Sequence, residues 1–329
     1  MKKILNYLFE HKTFSRESAK EILTNISKGV YNESELAAFM TVFLMRSITI
    51  EELLGFRDAL LELCVPVKLD DSVLDIVGTG GDGKNTFNIS TLSCFLVAGA
   101  GGKVAKHGNY GVSSISGASN VMESVGYKFK NDEGKLQREM AEAGICFLHA
   151  PLFHPALKNV APVRRQLGVR TFFNMLGPLV NPAFAQHQLI GVYSLEMARI
   201  YNYLFQQTDK RYAIVHSLDG YDEISLTGDT RIITNKGEQD WTPEALGKRK
   251  VHAEDIFGGN TTEDAAKIFV KVLKGEGTWA QHSVVMANAA MGLYCLEKYP
   301  TYDECFQAAV ASLESGAAYK VFQKLISLQ

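Results

Sequence analysis

The stretch VGTGGDGKNTFNIS, residues 77–90, decides the fold. An apolar run, LDIVG, leads into it, and a second apolar run, STLSCFLVAGA, leaves it. A strand, a glycine-rich turn and a helix in that order aim backbone N–H groups at an anion. Gly78, Gly80 and Gly83 spell G-x-G-x-x-G, the fingerprint of a dinucleotide-binding turn. A tight turn that binds nothing has the same spelling, so the residues beyond it must discriminate.

A nicotinamide dinucleotide needs an acid about 20 residues downstream to hold its ribose hydroxyls. From Gly83 to Met122 there is no Asp or Glu, and the next strand, GKVAKHGN, ends in Lys106 and His107. A cation there suits a 2′-phosphate, or a ligand that is mostly phosphate.

Further out, QLIGVYS, RYAIVHS, GICFLHA and TRIITN also read as strands. Helical stretches such as GKLQREMAEAG lie between several of the strands. This alternation predicts an α/β fold, a mainly parallel sheet with helices on both faces and a ligand beyond the carboxyl ends of its strands. The first seventy residues are different, reading as helices throughout. Asn32 precedes Glu35, and Thr49 precedes Glu52, at capping-box spacing. Pro66 in CVPVKLDD cannot continue a helix and marks a hinge out of this part.

Composition narrows the function. With 46% apolar and 21% charged residues, the chain has a globular make-up. A net charge of −2 gives no general attraction to nucleic acid or anionic lipid. No apolar run of about 18 residues spans a membrane, and the polar interruptions at Asn6, Glu10 and His11 make the first residues a helix, not a signal peptide. Five scattered cysteines without a C-x-x-C predict a reducing, cytoplasmic setting with neither disulfides nor a zinc site.

Three further stretches carry chemistry. KHGNYGVSSISGAS (106–119) offers an ammonium, an imidazole, an amide and hydroxyls to an anion, although Lys106 is equally readable as a solvated lysine and His107 as a structural histidine. HSLDGYDEIS (216–225) ends a strand in Asp219, Asp222 and Glu223. Adjacent carboxylates suit Mg²⁺, which accepts a few acids plus waters and phosphate oxygens, and they also suit an ordinary acidic turn. FHPALKNVAPVRRQLGVRTFFNMLGPLVNP (153–182) places Arg164, Arg165 and Arg170 in an expected helical stretch, followed by a shaped loop in NMLGPLVNP. Arg164 fits either a substrate carboxylate or an ion pair.

Together GTGGDGKNTFNIST, KHGN with its following SS and SG, RQLGVRTFFNMLGPLVNP and DGYDEIS resemble the anthranilate phosphoribosyltransferase family, in order and over essentially the whole chain. The resemblance implies a large α/β domain, 71–154 with 186–329, carrying the 5-phosphoribosyl 1-diphosphate (PRPP) and Mg²⁺ site. It also implies a smaller, discontinuous all-helical domain, 1–70 with about 155–185, for dimerisation and part of the anthranilate site. By motif it assigns Gly78, Thr79, Gly80, Gly81, Asp82, Thr86, Asn88, Ser90, Thr91, Lys106 and Ser114 to PRPP. Ser90, Asp222 and Glu223 go to Mg²⁺, and Gly78, His107, Asn109, His154 and Arg164 to anthranilate. Arg164 is expected to meet the acceptor's carboxylate, and His107 to accept a proton. The implied partners are the two small substrates and a second copy of the chain, with no nucleic acid and no membrane. Two positions depart from the family pattern: Tyr110 stands where many members have Arg, and Asn120 where Asp is common. A pyrimidine nucleoside phosphorylase-like activity, a nucleic-acid-binding relative and a dehydrogenase are the competing readings.

Overall fold

The computed structural model describes residues 1–69, 72–111, 115–246 and 249–329. They form two compact units, Met1–Pro66 with Ala150–Pro182, and Val67–His149 with Ala183–Gln329. The first crossing falls at Pro66, the residue that ends the helical N-terminal part. The second piece of the first unit begins at Ala150, earlier than the expected 155, so His154 belongs to it.

The first unit carries no strand among its described residues. Helices Lys2–Phe9, Arg16–Ser27, Glu33–Met45 and Ile50–Glu62 make its N-terminal part. Both expected capping boxes are present: the Asn32 and Thr49 side chains accept from the amides of Glu35 and Glu52, whose carboxylates accept in return. Glu52 does more than cap. Burial alone would raise its pKa, but Arg46 and the amides of Thr49 and Phe14 hold it below the usual carboxylate range. The second piece joins the first through aromatic rings. Phe172 lies 4.8 Å from Phe56 and 4.9 Å from Phe43, centroid to centroid, and stacks on Phe173. Arg164 and Arg165 lie in the helix Ala161–Leu167, but Arg170 lies beyond its end, because Gly168 closes that helix in the left-handed conformation. NMLGPLVNP is not wholly loop either. The helix Phe173–Leu176 runs directly into a 3₁₀ turn, Gly177–Leu179, in which Pro178 sits in the first turn, where it is tolerated.

The second unit is built on a seven-stranded sheet ordered β3-β2-β1-β4-β5-β6-β7. The strands are β1 Leu74–Gly78, β2 Val104–Gly108, β3 Ile145–His149, β4 His187–Gly191, β5 Arg211–Ser217, β6 Thr230–Thr234 and β7 Gly237–Trp241. β1 to β5 run parallel, β6 pairs antiparallel to β5, and β7 pairs antiparallel to β6. β7, GEQDW, is a polar edge strand with no apolar pattern to announce it; it pairs with β6 across a tight turn at Asn235 and Lys236. The helices Ile89–Gly99 and Trp279–Cys295 are buried nearly throughout and fill the core on the sheet with residues such as Phe95, Leu96, Met291 and Leu293. The order β3-β2-β1-β4-β5 reverses direction between β1 and β4, the place where doubly wound sheets bind ligands. No helix among the described residues is long and apolar enough to cross a membrane.

Gly55 lets two helices of the first unit meet. A Cβ there would stand 2.2 Å from the Arg16 carbonyl oxygen and 2.7 Å from the Ala19 Cβ. Gly55→Ala is therefore expected to destabilise this unit by about 1–3 kcal/mol. Denaturant unfolding of the two proteins would measure it, and an unchanged midpoint would show that the helices can separate at no cost.

Candidate active site

At the switch point β1 and β4 end side by side in glycine, Gly78 opposite Gly191. The pairing leaves a gap, and the segment after β5 fills it. A Cβ on Gly78 would come 2.5 Å from Asp222 Oδ2, and one on Gly191 only 1.6 Å from the Asp222 carbonyl oxygen. These two glycines thus make room for Asp222. The amide of Gly80 donates to Asp222 Oδ2 at 2.8 Å, and the amide of Ser90, in the first turn of the helix Ile89–Gly99, donates to Glu223 Oε1 at 2.9 Å. The turn and helix end that the sequence aimed at a ligand's anion hold two of the protein's own carboxylates. Gly80, Gly81 and Gly83 all have positive φ (64°, 79° and 73°), a conformation that glycine adopts without steric cost.

Charge accumulates here. The Asp82 and Asp222 carboxyls act on each other electrostatically, and Asp82 accepts from the Lys84 amide at 3.0 Å. Burial, then the Asp82 carboxylate, pushes Asp222 up to about 7. Burial, then Asp222, pushes Glu223 well above the usual range, and burial raises Asp82. Three acids held this close favour a cation among them. Among the described residues no set of three or more His, Cys, Asp or Glu is arranged to hold a metal alone. Two adjacent acids that need further oxygens from a ligand fit Mg²⁺ better than a closed protein cage. Asp219 stands apart, its Oδ2 accepting from the Thr227 hydroxyl at 2.6 Å.

The second loop is also rearranged. Lys106 is not a solvated lysine: it is 2% exposed, and its ammonium donates to the Ile76 carbonyl, where its charge also acts on Glu223. His107 is buried, and its amide donates to Asp75 Oδ1 at 3.1 Å. Asp75 is a fully buried acid in the central strand that the sequence analysis passed over, although an Asp inside LDIVG is itself a signal. Asn88 caps the helix Ile89–Gly99 by position; its Nδ2 donates to the Ser116 carbonyl at 2.9 Å, while its Oδ1 and the Thr79 hydroxyl are buried without a partner among the described residues. Thr91 is buried, and Thr86 bridges to Phe257 through the backbone. Asn109 is exposed, and Ser114 lies outside the described residues. Both departures from the family pattern have a local account. Asn120 Oδ1 accepts from the amides of Gly111 and Gly117, at 2.9 and 3.0 Å. The Tyr110 hydroxyl donates to Glu123 at 2.9 Å while its ring packs edge-on against His149.

In the helical unit, Arg164 is half-buried, and burial lowers its pKa. Its Nη2 donates to Asn174 Oδ1 at 3.3 Å, and its guanidinium lies 5.4 Å from the centroid of the Phe173 ring. No carboxylate neutralises it among the described residues, so it has capacity for a ligand's anion. His154 is 1% exposed, and its Nε2 is 2.8 Å from the Val180 carbonyl oxygen. That contact ties the imidazole to the chain after the 3₁₀ turn.

Two measurements follow. Gly191→Ala must displace the Asp222 backbone, and a displacement of about 1 Å near reacting groups costs on the order of 100-fold in rate. Turnover should fall that far with far-UV circular dichroism unchanged, and full turnover would show that the seat of Asp222 is not needed. His154 is pushed down to about 4 by burial, from an ordinary 6.5. The unfolded chain takes up this proton first, so the stability due to neutral His154 is complete above pH 6.5 and is lost towards pH 4. The stability difference between the wild type and His154→Asn should shrink across that window by up to about 3 kcal/mol; a pH-independent difference would contradict it.

Known proteins resemble the chain over essentially its whole length. A model of the glycosyl transferase family a/b domain matches residues 70–319, and a model of that family's helical bundle domain matches residues 2–64. Anthranilate phosphoribosyltransferases from Christiangramia forsetii and Flavobacterium johnsoniae are 56% and 57% identical over 329 residues, covering 100% of this chain and 99% of each relative. Among solved structures, the anthranilate phosphoribosyltransferase of Thermus thermophilus superposes with a TM-score of 0.91 at 33% identity, over 98% of both chains. That of Saccharomyces cerevisiae, in complex with PRPP and Mg, gives 0.87 at 28% identity, over 95% of this chain and 93% of that one. With family models covering both its parts and relatives matched end to end, the chain belongs to the anthranilate phosphoribosyltransferase family.

Proposed function

We infer that the chain transfers the phosphoribosyl group of PRPP to the amine of anthranilate, releasing diphosphate, as a step of tryptophan biosynthesis. The observation that carries this is the acid pair Asp222–Glu223, held by the amides of Gly80 and Ser90 where the sheet reverses direction. Full-length relatives of that activity at 56–57% identity support it, as does a yeast relative solved with PRPP and Mg.

Asp222, Glu223 and Ser90 would hold Mg²⁺, which when bound neutralises charge on the departing diphosphate. Gly78 to Asp82, Thr86, Asn88, Thr91 and Lys106 are the residues we assign to PRPP. Their fixed dipoles and the Lys106 charge are in place before bond breaking, so they lower the barrier without reorganising. The ribose C1 then becomes oxocarbenium-like, as in glycosyl transfer generally. The acceptor is an aromatic amine, already neutral near pH 7, and it needs aim more than deprotonation. Arg164 supplies the aim by gripping its carboxylate, with His107 and Asn109 as further contacts. We read the chain as a cytoplasmic homodimer. Five free cysteines support the compartment, and Phe9 and Met45, 61% and 84% exposed on helices of the first unit, support a partner face.

Mixing the protein with PRPP, Mg²⁺ and anthranilate should extinguish anthranilate fluorescence. Phosphorolysis of a pyrimidine nucleoside without that loss would overturn the assignment. Arg164→Ala should raise the KM for anthranilate by about 100-fold, the cost of losing a charge-assisted pair, while the KM for PRPP stays within about twofold. Equal effects on both would remove Arg164 from the acceptor's carboxylate.

A further inference from the structure

Asp222 and Glu223 lie in neither a helix nor a strand. Backbone in such a place has no ladder to satisfy its polar groups, so something else must fix it. Just after the pair, the amide of Ile224 donates to Asn288 Oδ1 at 3.1 Å, and Asn288 Nδ2 donates back to the Ile224 carbonyl at 2.8 Å. The same Nδ2 donates to the Val284 carbonyl at 2.8 Å, one turn earlier in the helix Trp279–Cys295. Asn288 is 3% exposed. From β5, the buried Ser217 hydroxyl donates to the Glu223 carbonyl at 2.7 Å.

We propose that Asn288 is a positioning residue for the acid pair, its side-chain amide standing in for the strand that Ile224 lacks and so setting where the Asp222 and Glu223 carboxylates point. The geometry is specific to an amide. It needs one acceptor and one donor side by side, matched to the N–H and C=O of a single residue, and a donor left over for the helix's own carbonyl. Leu or Ala would leave both Ile224 groups buried and unpaired. Aspartate would keep the acceptor, lose the donor and add charge near acids whose pKa values are already raised. The position of the preceding peptide follows, because Glu223 is one bond away and its own carbonyl is tied to Ser217. Asn288 acts on the acids from outside the metal's own ligands, and removing such an outer partner typically costs about 10–100-fold in metal affinity or activity.

The inference rests on Asp222 and Glu223 as the metal's ligands, and the test separates the two claims. Mn²⁺ with inorganic diphosphate is titrated against the full chain, bound metal being read by loss of the free Mn²⁺ paramagnetic signal. The wild type, Asn288→Ala, Ser217→Ala and Asp222→Asn are compared, and the metal concentration for half-maximal rate and the KM for anthranilate are measured alongside. Asn288→Ala should weaken Mn²⁺ binding at least about tenfold and raise the half-maximal metal concentration in step. The rate should recover at high metal, with the anthranilate KM unchanged. A merely structural loss would lower the rate at every metal concentration without recovery, and that result, or unaltered Mn²⁺ binding, overturns the proposal. If Asp222→Asn binds Mn²⁺ like the wild type, or the wild type binds none, the ligand assignment fails and the proposal falls with it. If Asn288→Ala does not fold, Ser217→Ala, which loses one hydroxyl on the same peptide, should show the same split, and an unchanged split counts against the proposal.

Discussion

Everything at the site depends on the seat of Asp222. Its backbone lies so close to Gly191, and its carboxylate so close to Gly78, that no side chain fits at either position. Only where two parallel strands end together in glycine can an irregular segment from a third strand press onto the sheet edge. Once it is there, the acids need N–H donors, and the turn after β1 and the helix after it provide them. The turn therefore has a different task from the one its spelling suggests. It holds the protein's own acids, and the acids in turn create the demand for a cation. Anions placed directly on Asp222 would be repelled, and a cation between them would remove that conflict.

The helical unit works by the opposite logic. Its charge is matched where it is structural and unmatched where it is available. Glu52 is fully buried but has Arg46 and backbone amides around it. Arg164 has the neutral Asn174 and the face of Phe173, with no acid beside it among the described residues. The ring cluster that joins Phe172 and Phe173 to Phe43 and Phe56 fixes the segment that carries Asn174. The setting in which we propose that Arg164 meets a carboxylate is thus a consequence of apolar packing.

Much of this was legible in the sequence because its signals are local. Most of the parallel strands are short apolar runs, and each of the two N-terminal capping boxes is a spacing of three residues. The stretch TGGDG is a turn whatever surrounds it. The features that escaped are those whose partners lie far off in sequence. Gly191 reads as a weak point in QLIGVYS until Asp222 is seen against it, and Asn288 is a polar residue in the apolar part of its helix until Ile224 is beside it. Lys106 looks like a lysine for solvent or ligand because nothing near it in the chain shows that the Ile76 carbonyl will face it. β7 escaped for another reason. An edge strand needs no buried face, so it carries no alternation.

The strand order sharpens the contrast with a dinucleotide fold. Order β3-β2-β1-β4-β5, a glycine-rich turn after β1 and a helix behind it are the parts that bind NAD elsewhere. Topology therefore does not decide between the two ligands. The decision lies in which strand end carries the acid. At the tip of β2 an acid takes ribose hydroxyls; here that tip has Lys106 and His107. The acids stand beyond β5 instead, and they cross to the tips of β1 and β4 only because Gly78 and Gly191 leave room. An acid beside the glycine-rich turn would oppose a bare dinucleotide, which is why we propose a diphosphate that arrives with its own divalent cation. On the proposed reading, two glycines without side chains do as much as the acids themselves to choose the ligand.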